Sequence, residues 1–232
     1  RIMSDPSVDE SVAVAIRLRP LNRREEAAKE VKIFGANGSS VVQTKDGVCC
    51  ETQHYDRVFS EEVKNGSVYT HMAENIVSGV INGINGTIFA YGQTSSGKTH
   101  TMLGSSSKFG FAKEPGVLAL AAEQVFKHIS ACNERNYVLR ISFVEIYNEI
   151  IRDLLADGAD PVVNIREDPR RGVYCEALEL QVDTCADVLA AMKKGVSKRS
   201  VEATAMNETS SRSHTLFKMV MESTLKPCGG EE

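Results

Sequence analysis

The chain has 232 residues, 42% of them hydrophobic and 25% charged, and a formal net charge of −4. That is room for one sizeable core in an ordinary soluble globular protein, and the acidic balance argues against general nucleic-acid binding. No apolar run approaches membrane-spanning length and no charged-then-apolar segment opens the chain, so neither a membrane-embedded nor a secreted class is expected. The six cysteines (Cys49, Cys50, Cys132, Cys175, Cys185 and Cys228) lack CxxC spacing, and His54, His71, His100, His128 and His214 lack metal-ligand spacing. Reduced thiols of a cytosolic protein, with no metal beyond one that accompanies a ligand, are the expectation.

Residues 1–10 are polar and expected to fray. Val12 to Leu18 reads as a strand buried on both faces and ending in Arg17-Leu18-Arg19-Pro20. Arg23 to Glu30 is a loop or short helical turn. Val31 to Phe34 and Ser39 to Thr44 are short strands divided by Gly35-Ala36-Asn37-Gly38, and Cys50 to Phe59 closes with a strand end at Tyr55-Asp56-Arg57-Val58-Phe59. Ser67 can cap a helix carrying Val68, Met72, Ile76, Val80 and Ile84 at spacings of four, stopped by Gly83 and Gly86.

Next comes the apolar run Thr87-Ile88-Phe89-Ala90-Tyr91, then Gly92-Gln93-Thr94-Ser95-Ser96-Gly97-Lys98-Thr99. A β-type run, a glycine-bounded loop and Lys-Thr opening a helix make a phosphate-binding P-loop in its expected context. The glycines let successive N–H groups turn toward phosphate oxygens, and the helix N-terminus adds its unpaired N–H groups and dipole. Lys98 is placed to reach the β- and γ-phosphates and the Thr99 hydroxyl to ligate Mg²⁺, so the chain is expected to bind a nucleoside triphosphate.

Leu103 to Gly116 reads as a flexible insertion, Val117 to Ser130 as a helix, and Tyr137 to Tyr147 as the clearest long strand. Asn148 to Leu155 is expected to be a short helix closed by Asp157-Gly158. Val162 to Ile165 and Val173 to Leu180 form a hairpin around the basic stretch Arg166 to Gly172. Thr184-Cys185-Ala186-Asp187 is a capping box for a helix through Val188, Leu189, Met192 and Val196. Asn207 to His214 is polar, Thr215 to Glu222 is a last strand, and residues 226–232 are a polar tail. There are no repeats and no second domain is expected. Taken alone, Asn207-Glu208-Thr209-Ser210-Ser211-Arg212-Ser213-His214 suits either a Ser-rich helix cap or a loop that closes on a γ-phosphate and its Mg²⁺.

Asn207-x-x-Ser210-Ser211-Arg212-Ser213-His214 resembles the switch I signature of kinesin motor domains, and Phe89 to Met102 resembles the kinesin P-loop. Arg17-Leu18-Arg19-Pro20, Tyr55 to Phe59 and Phe143-Val144-Glu145-Ile146-Tyr147-Asn148-Glu149 resemble three further blocks, in the family's order. The resemblance implies an α/β P-loop NTPase whose mixed central sheet has helices on both faces, with residues 11–225 a partial motor domain incomplete at its C-terminal side. It implies ATP/ADP with Mg²⁺ as ligands. Arg17, Arg19 and Pro20 would flank the adenine and ribose, with His100 packing on the base. Gly92, Gln93, Thr94, Ser95, Ser96, Gly97, Lys98 and Thr99 would hold the phosphates, with Thr99 and Ser211 at the metal. Ser210 and Ser211 would close on the γ-phosphate and the attacking water, Asn207 would anchor that loop, and Arg212 would pair with a switch II glutamate.

The resemblance also implies microtubules as partner, with Arg166, Arg170, Arg171 and Arg140 as candidate contacts; each also suits a solvated charged turn. It implies a location on the microtubule cytoskeleton of the cytoplasm, extending to the mitotic spindle. Ile165-Arg166-Glu167-Asp168 with Gly172-Val173-Tyr174, and the last strand, are similar to the centromere-associated class and to its plant relatives. Dimerisation would use a coiled coil outside this chain. A complete motor would continue into a strand ending in Asp-x-x-Gly-Ser-Glu, absent here, so hydrolysis by this stretch alone is expected to be feeble. A non-hydrolysing nucleotide- or tubulin-binding module is the alternative. An unrelated kinase or GTPase is disfavoured by the lack of an Asn-Lys-x-Asp pattern.

Overall fold

The computed structural model describes residues 12–45, 48–105, 114–158, 162–169, 172–205 and 213–227. The chain divides into two compact units, residues 1–73 and 74–232. Expectations for residues 1–10 and for most of the polar tail fall outside the described residues.

The first unit contains β1 (Ala15–Arg17), α1 (Arg23–Ala27), β2 (Phe34–Asn37), β3 (Ser40–Lys45), β4 (Val48–His54), β5 (Arg57–Phe59) and α2 (Asn65–Met72). β1 pairs in parallel with β5, Ile16 opposite Val58. The strand is shorter than Val12–Leu18 because the Val14 N–H bonds the Asp56 carboxylate at 2.7 Å instead of a neighbouring strand. β2, β3 and β4 form an antiparallel meander. Gly35, Ala36 and Asn37, expected to divide two strands, lie inside β2; only Gly38 takes the positive φ (59°) that the turn requires. Asn22 caps α1 in a capping box with Glu25.

The single helix expected from Ser67 is two helices, α2 and, in the second unit, α3 (Glu74–Ile81). Lys64, not Ser67, is the N-cap residue of α2, and Ala73 ends it at φ −115°. A spacing of four advances about 40° beyond a full turn at each step, so four steps turn the apolar stripe by roughly 160°. One straight helix cannot keep Val68 and Ile84 on a common face.

The second unit continues with α4 (Lys98–Leu103), α5 (Val117–Ala131), β6 (Arg135–Tyr147), β7 (Ile150–Asp153), β8 (Val162–Val163), β9 (Ile165–Asp168), β10 (Gly172–Cys175), β11 (Leu180–Val182), α6 (Cys185–Ala205) and β12 (Ser213–Leu225). The 13-residue β6 is the spine of an antiparallel five-stranded sheet. β12 pairs with it over its whole length, from Ser213↔Tyr147 to Leu225↔Arg135. Its other edge is shared by β11 and β7, with β8 beyond β7. Leu139, Ile141 and Phe143, alternate residues on one face, are buried, as are Val188, Ala191 and Met192 of α6. The parallel pair in one unit and antiparallel sheet in the other, with helices, give the α/β class expected.

Asn148 to Leu155 is not a helix. Asn148 (φ 48°) and Glu149 (φ 64°) form a two-residue turn that folds β7 back on β6. Two consecutive left-handed residues match a hairpin's twist and stop a helix, and Asn tolerates that conformation. Buried Asp153 then organises the next turn, accepting from the backbone N–H of Leu155 (2.7 Å), Ala156 (3.0 Å) and Leu178 (2.6 Å). The basic hairpin is narrower than expected: β9 pairs with β10, while Val162–Val163 joins β7. Thr184 caps α6 as the sequence suggests, its Oγ1 accepting from the Asp187 N–H at 3.2 Å while the Asp187 carboxylate accepts from the Thr184 N–H at 2.8 Å.

Candidate nucleotide site

Between α3 and α4 the chain runs extended through the P-loop. Thr87–Tyr91, expected as a strand, has no ladder partner among the described residues, and Phe89 and Tyr91 are 76% and 95% exposed. A strand is defined by its neighbour, and an apolar run without one remains an extended segment.

The loop that follows is turned rather than regular. Ser95 (φ 63°) and Gly97 (φ 100°) adopt left-handed backbone, and a Cβ on Gly92 would stand 2.5 Å from Ser96 Oγ. Gly97 is the N-cap of α4 and supplies no capping side chain, so the first turn of that helix is left for a ligand to cap. The Lys98 ammonium folds back over the loop and donates to the carbonyls of Gly92 (2.6 Å) and Gln93 (2.8 Å). The Lys98 ammonium therefore places positive charge directly over the loop backbone. Gln93, Thr94, Ser95 and Thr99 are exposed; Ser96, Gly97 and Lys98 are half-buried. The exposed Thr99 hydroxyl is a hard oxygen donor of the kind Mg²⁺ takes. Among the described residues no cluster of three or more His, Cys, Asp or Glu could hold a metal by itself.

His100, one residue past Thr99, has its Nε2 3.8 Å from the Glu114 carboxylate. α4 ends in a tight crossing. Gly104 bridges to Pro115, and a Cβ on Gly116 would lie 2.4 Å from both Gly104 N and Met102 O. The described ends of the expected insertion 103–116 are therefore pinned together, with residues 106–113 outside the described residues.

In the first unit, Arg17 donates to the Asn65 side chain and, at 2.8 Å, to the Val63 carbonyl, tying the end of β1 to the start of α2. Arg19 meets both Glu25 oxygens (2.7 and 2.6 Å) and donates to the Pro20 carbonyl at 2.9 Å. The Arg19 side chain and the Asn22 N–H hold the Glu25 carboxyl down at about 2.

Asn207, Ser210, Ser211 and Arg212 lie outside the described residues, as do Arg170 and Arg171. Arg166 is in β9, opposite Tyr174, and pairs with Glu176 at 3.1 Å. Arg140 pairs with Glu222 and stands 3.7 Å from Glu179, so two carboxylates locally neutralise it. Sequence reasoning missed Arg199, which donates to Glu145 at 2.9 Å and to Ser213 Oγ at 3.1 Å. No short-range pattern signals it, since its partners lie 54 and 14 positions away in the chain.

A family model described as the kinesin motor domain matches residues 17–230. The rice (Oryza sativa subsp. japonica) protein Kinesin-like protein KIN-7D, chloroplastic, is 41% identical over 97% of this chain, which spans 21% of that protein. Human Centromere-associated protein E is 41% identical over 93% of this chain, which spans 8% of it. A solved structure of a fast kinesin superposes with a TM-score of 0.84 at 35% identity, covering 93% of this chain and 60% of that one. The chain thus spans a small part of its curated relatives, and it belongs to the kinesin motor-domain family.

Proposed function

We propose that this chain is the ATP-binding part of a microtubule motor that couples ATP hydrolysis to microtubule binding and movement. The observation that carries the reading is the P-loop: left-handed Ser95 and Gly97 lead into a helix with no capping side chain, with Lys98 folded over the loop carbonyls. Phosphoryl transfer needs positioning and electrostatics rather than a covalent nucleophile, and such a loop supplies both.

In this reading Gly92 to Thr99 hold the phosphates of ATP or ADP, with Lys98 exchanging its carbonyl partners for phosphate oxygens. Mg²⁺, held by Thr99 and Ser211, would neutralise developing charge on the phosphates. Asn207, Ser210 and Ser211 close on the γ-phosphate, Arg212 transmits its loss, and His100 with Pro20 flanks the base. Arg17 and Arg19 shape that base site through Asn65 and Glu25, since their guanidinium groups already serve those partners. Residues 11–225 then belong to one motor domain, consistent with the family match over 17–230.

The partner is the acidic surface of a microtubule, in the cytoplasm and on the spindle. Arg166, with Arg170 and Arg171, is favoured over Arg140, because Arg166 meets the carboxylate of Glu176 whereas Arg140 meets those of both Glu179 and Glu222. Equal identity to the human centromere-associated protein and to a rice relative supports a class that contains both. Dimerisation through a coiled coil outside this chain belongs to the same proposal.

Phosphate release by the full-length protein, with and without microtubules, tests the reading. Turnover stimulated by microtubules and abolished by Lys98→Ala is expected. Turnover indifferent to Lys98→Ala overturns it.

A further inference from the structure

β3 and β4 fall out of step at one place. Gln43 pairs with Glu51, and the next residue, Thr44, pairs with Cys49, so Cys50 has no partner across the ladder. An extra residue of this kind is a β-bulge, and it breaks the alternation of side chains between the two faces of a sheet. Val42 and Thr44 share one face of β3, and the residues opposite them are Thr52 and Cys49, three apart in β4. In a regular strand three residues span about 10 Å and the first and last point to opposite faces. Here Cys49 Sγ stands 3.6 Å from Thr52 Oγ1, so β4 is contracted around Cys50. The Cys50 thiol donates to the Val48 carbonyl at 3.4 Å.

Both thiols are free and exposed, in a strand exposed along its whole length. They are the one adjacent pair among the six cysteines of the chain. Consecutive Cα atoms lie about 3.8 Å apart, whereas an ordinary disulfide spans about 4.4–6.8 Å, so a direct S–S bond between them would be strained. One larger atom bridging the two sulfurs removes that conflict, and thiolates select soft centres. A tetrahedral ion such as Zn²⁺ takes four ligands, and among the described residues no group of three or more His, Cys, Asp or Glu comes together to supply them. A trivalent arsenic atom that already carries one organic group needs only two sulfurs.

We infer that Cys49 and Cys50 form a vicinal-dithiol site for monosubstituted trivalent arsenicals, built on the β3–β4 bulge. The reaction is a condensation: an arsenoxide R–As=O and two thiols give R–As(S)₂, with two As–S bonds formed. Both thiol protons leave with the arsenoxide oxygen as one water, and the arsenic stays trivalent. The first As–S bond makes the second an intramolecular step, so the affinity belongs to the pair and not to either thiol. The bulge removes the alternation that would hold the two sulfurs on opposite faces.

The test treats the reduced full-length protein with phenylarsine oxide and reads peptide mass mapping, binding affinity and thermal midpoint. The expected result is one arsenical spanning both cysteines of the peptide that contains residues 48–54, removed by 2,3-dimercaptopropanol but not by the same thiol equivalents of mercaptoethanol. Cys49→Ser and Cys50→Ser should each weaken binding at that peptide by about 100-fold or more, with the midpoint unchanged because both side chains are exposed. Cys132→Ser should leave binding there as it was. An unlabelled 48–54 peptide overturns the inference, as does an adduct that either serine variant keeps within about threefold. The mapping is made on the unsubstituted protein, so it decides the matter even where a serine variant unfolds.

Discussion

Gly195 of α6 lies so close to Phe143 of β6 that a Cβ on the glycine would stand 2.3 Å from the ring Cδ1 and 2.5 Å from Cε1. The ring has nowhere to go: Phe143 is 2% exposed and meets Phe217 edge-on, with centroids 5.4 Å apart. Gly195→Ala should therefore destabilise the protein by about 1–3 kcal/mol, because overpacking outweighs the roughly 1 kcal/mol that alanine gains as a helix former. Chemical denaturation checks this. A more stable variant would mean that α6 can lift off the sheet without cost.

Much of this arrangement is legible in the sequence where one physical signal dominates. The P-loop depends on glycines and an adjacent lysine, and in the structure Ser95 and Gly97 take left-handed backbone while Lys98 folds over the Gly92 and Gln93 carbonyls. The Thr184–Asp187 capping box and the strand 137–147 are equally local. The β7 hairpin is not legible, because Asn148-Glu149 is a weaker turn signal than Asn-Gly and its left-handed pair is a property of the folded chain. The roles of Arg17, Arg19 and Arg140 were harder still. An exposed-looking arginine in a motif says nothing about which carboxylate or carbonyl will fold against it: Arg19 finds Glu25 nearby, but the partners of Arg17 and Arg140 lie far away in sequence. The Glu145–Arg199–Ser213 contact joins residues 14 and 54 positions apart, beyond any short-range pattern.

Asp153 shows how one side chain can substitute for missing secondary structure. Its two carboxylate oxygens satisfy three backbone N–H groups in a turn where Leu154 and Leu155 are buried. Asp153→Ala strands those donors, and at about 1–3 kcal/mol for each unsatisfied buried group a loss of about 3 kcal/mol or more is expected. Asp153→Asn, which keeps one carbonyl oxygen, should lose less. Equal melting of the two variants would show that the turn is held by other groups.

The Arg19–Glu25 contact makes a prediction about acid. Arg19 first, and the Asn22 N–H second, hold the folded Glu25 carboxyl at about 2, against an ordinary value of 4.5. A carboxylate depressed on folding contributes stability above its unfolded value, and that contribution disappears as pH falls through the folded value. Glu25→Gln should therefore melt below the unsubstituted protein by a constant margin from pH 7 to pH 5, a margin that closes between about 4.5 and 2. A margin that persists to pH 2 would assign the effect to shape rather than charge. Added salt should shrink the neutral-pH margin, since both partners are only half-buried and remain in contact with solvent.

Thr215 raises the opposite question, since its cost lies in a group that has no use in the fold described. Its Oγ1 is buried and makes no hydrogen bond among the described residues, although Thr215 lies directly opposite Glu145 in the β6–β12 ladder. The Glu145 carboxylate is turned to Arg199 instead. Replacing a buried, unpaired hydroxyl by a methyl of the same shape removes a desolvation penalty of about 1–3 kcal/mol without opening a cavity. Valine also favours a strand as threonine does. Thr215→Val should accordingly be neutral or stabilising by about 1 kcal/mol in denaturant unfolding. If Thr215→Val destabilises instead, the hydroxyl makes a hydrogen bond in solution, and an unpaired hydroxyl ceases to describe it.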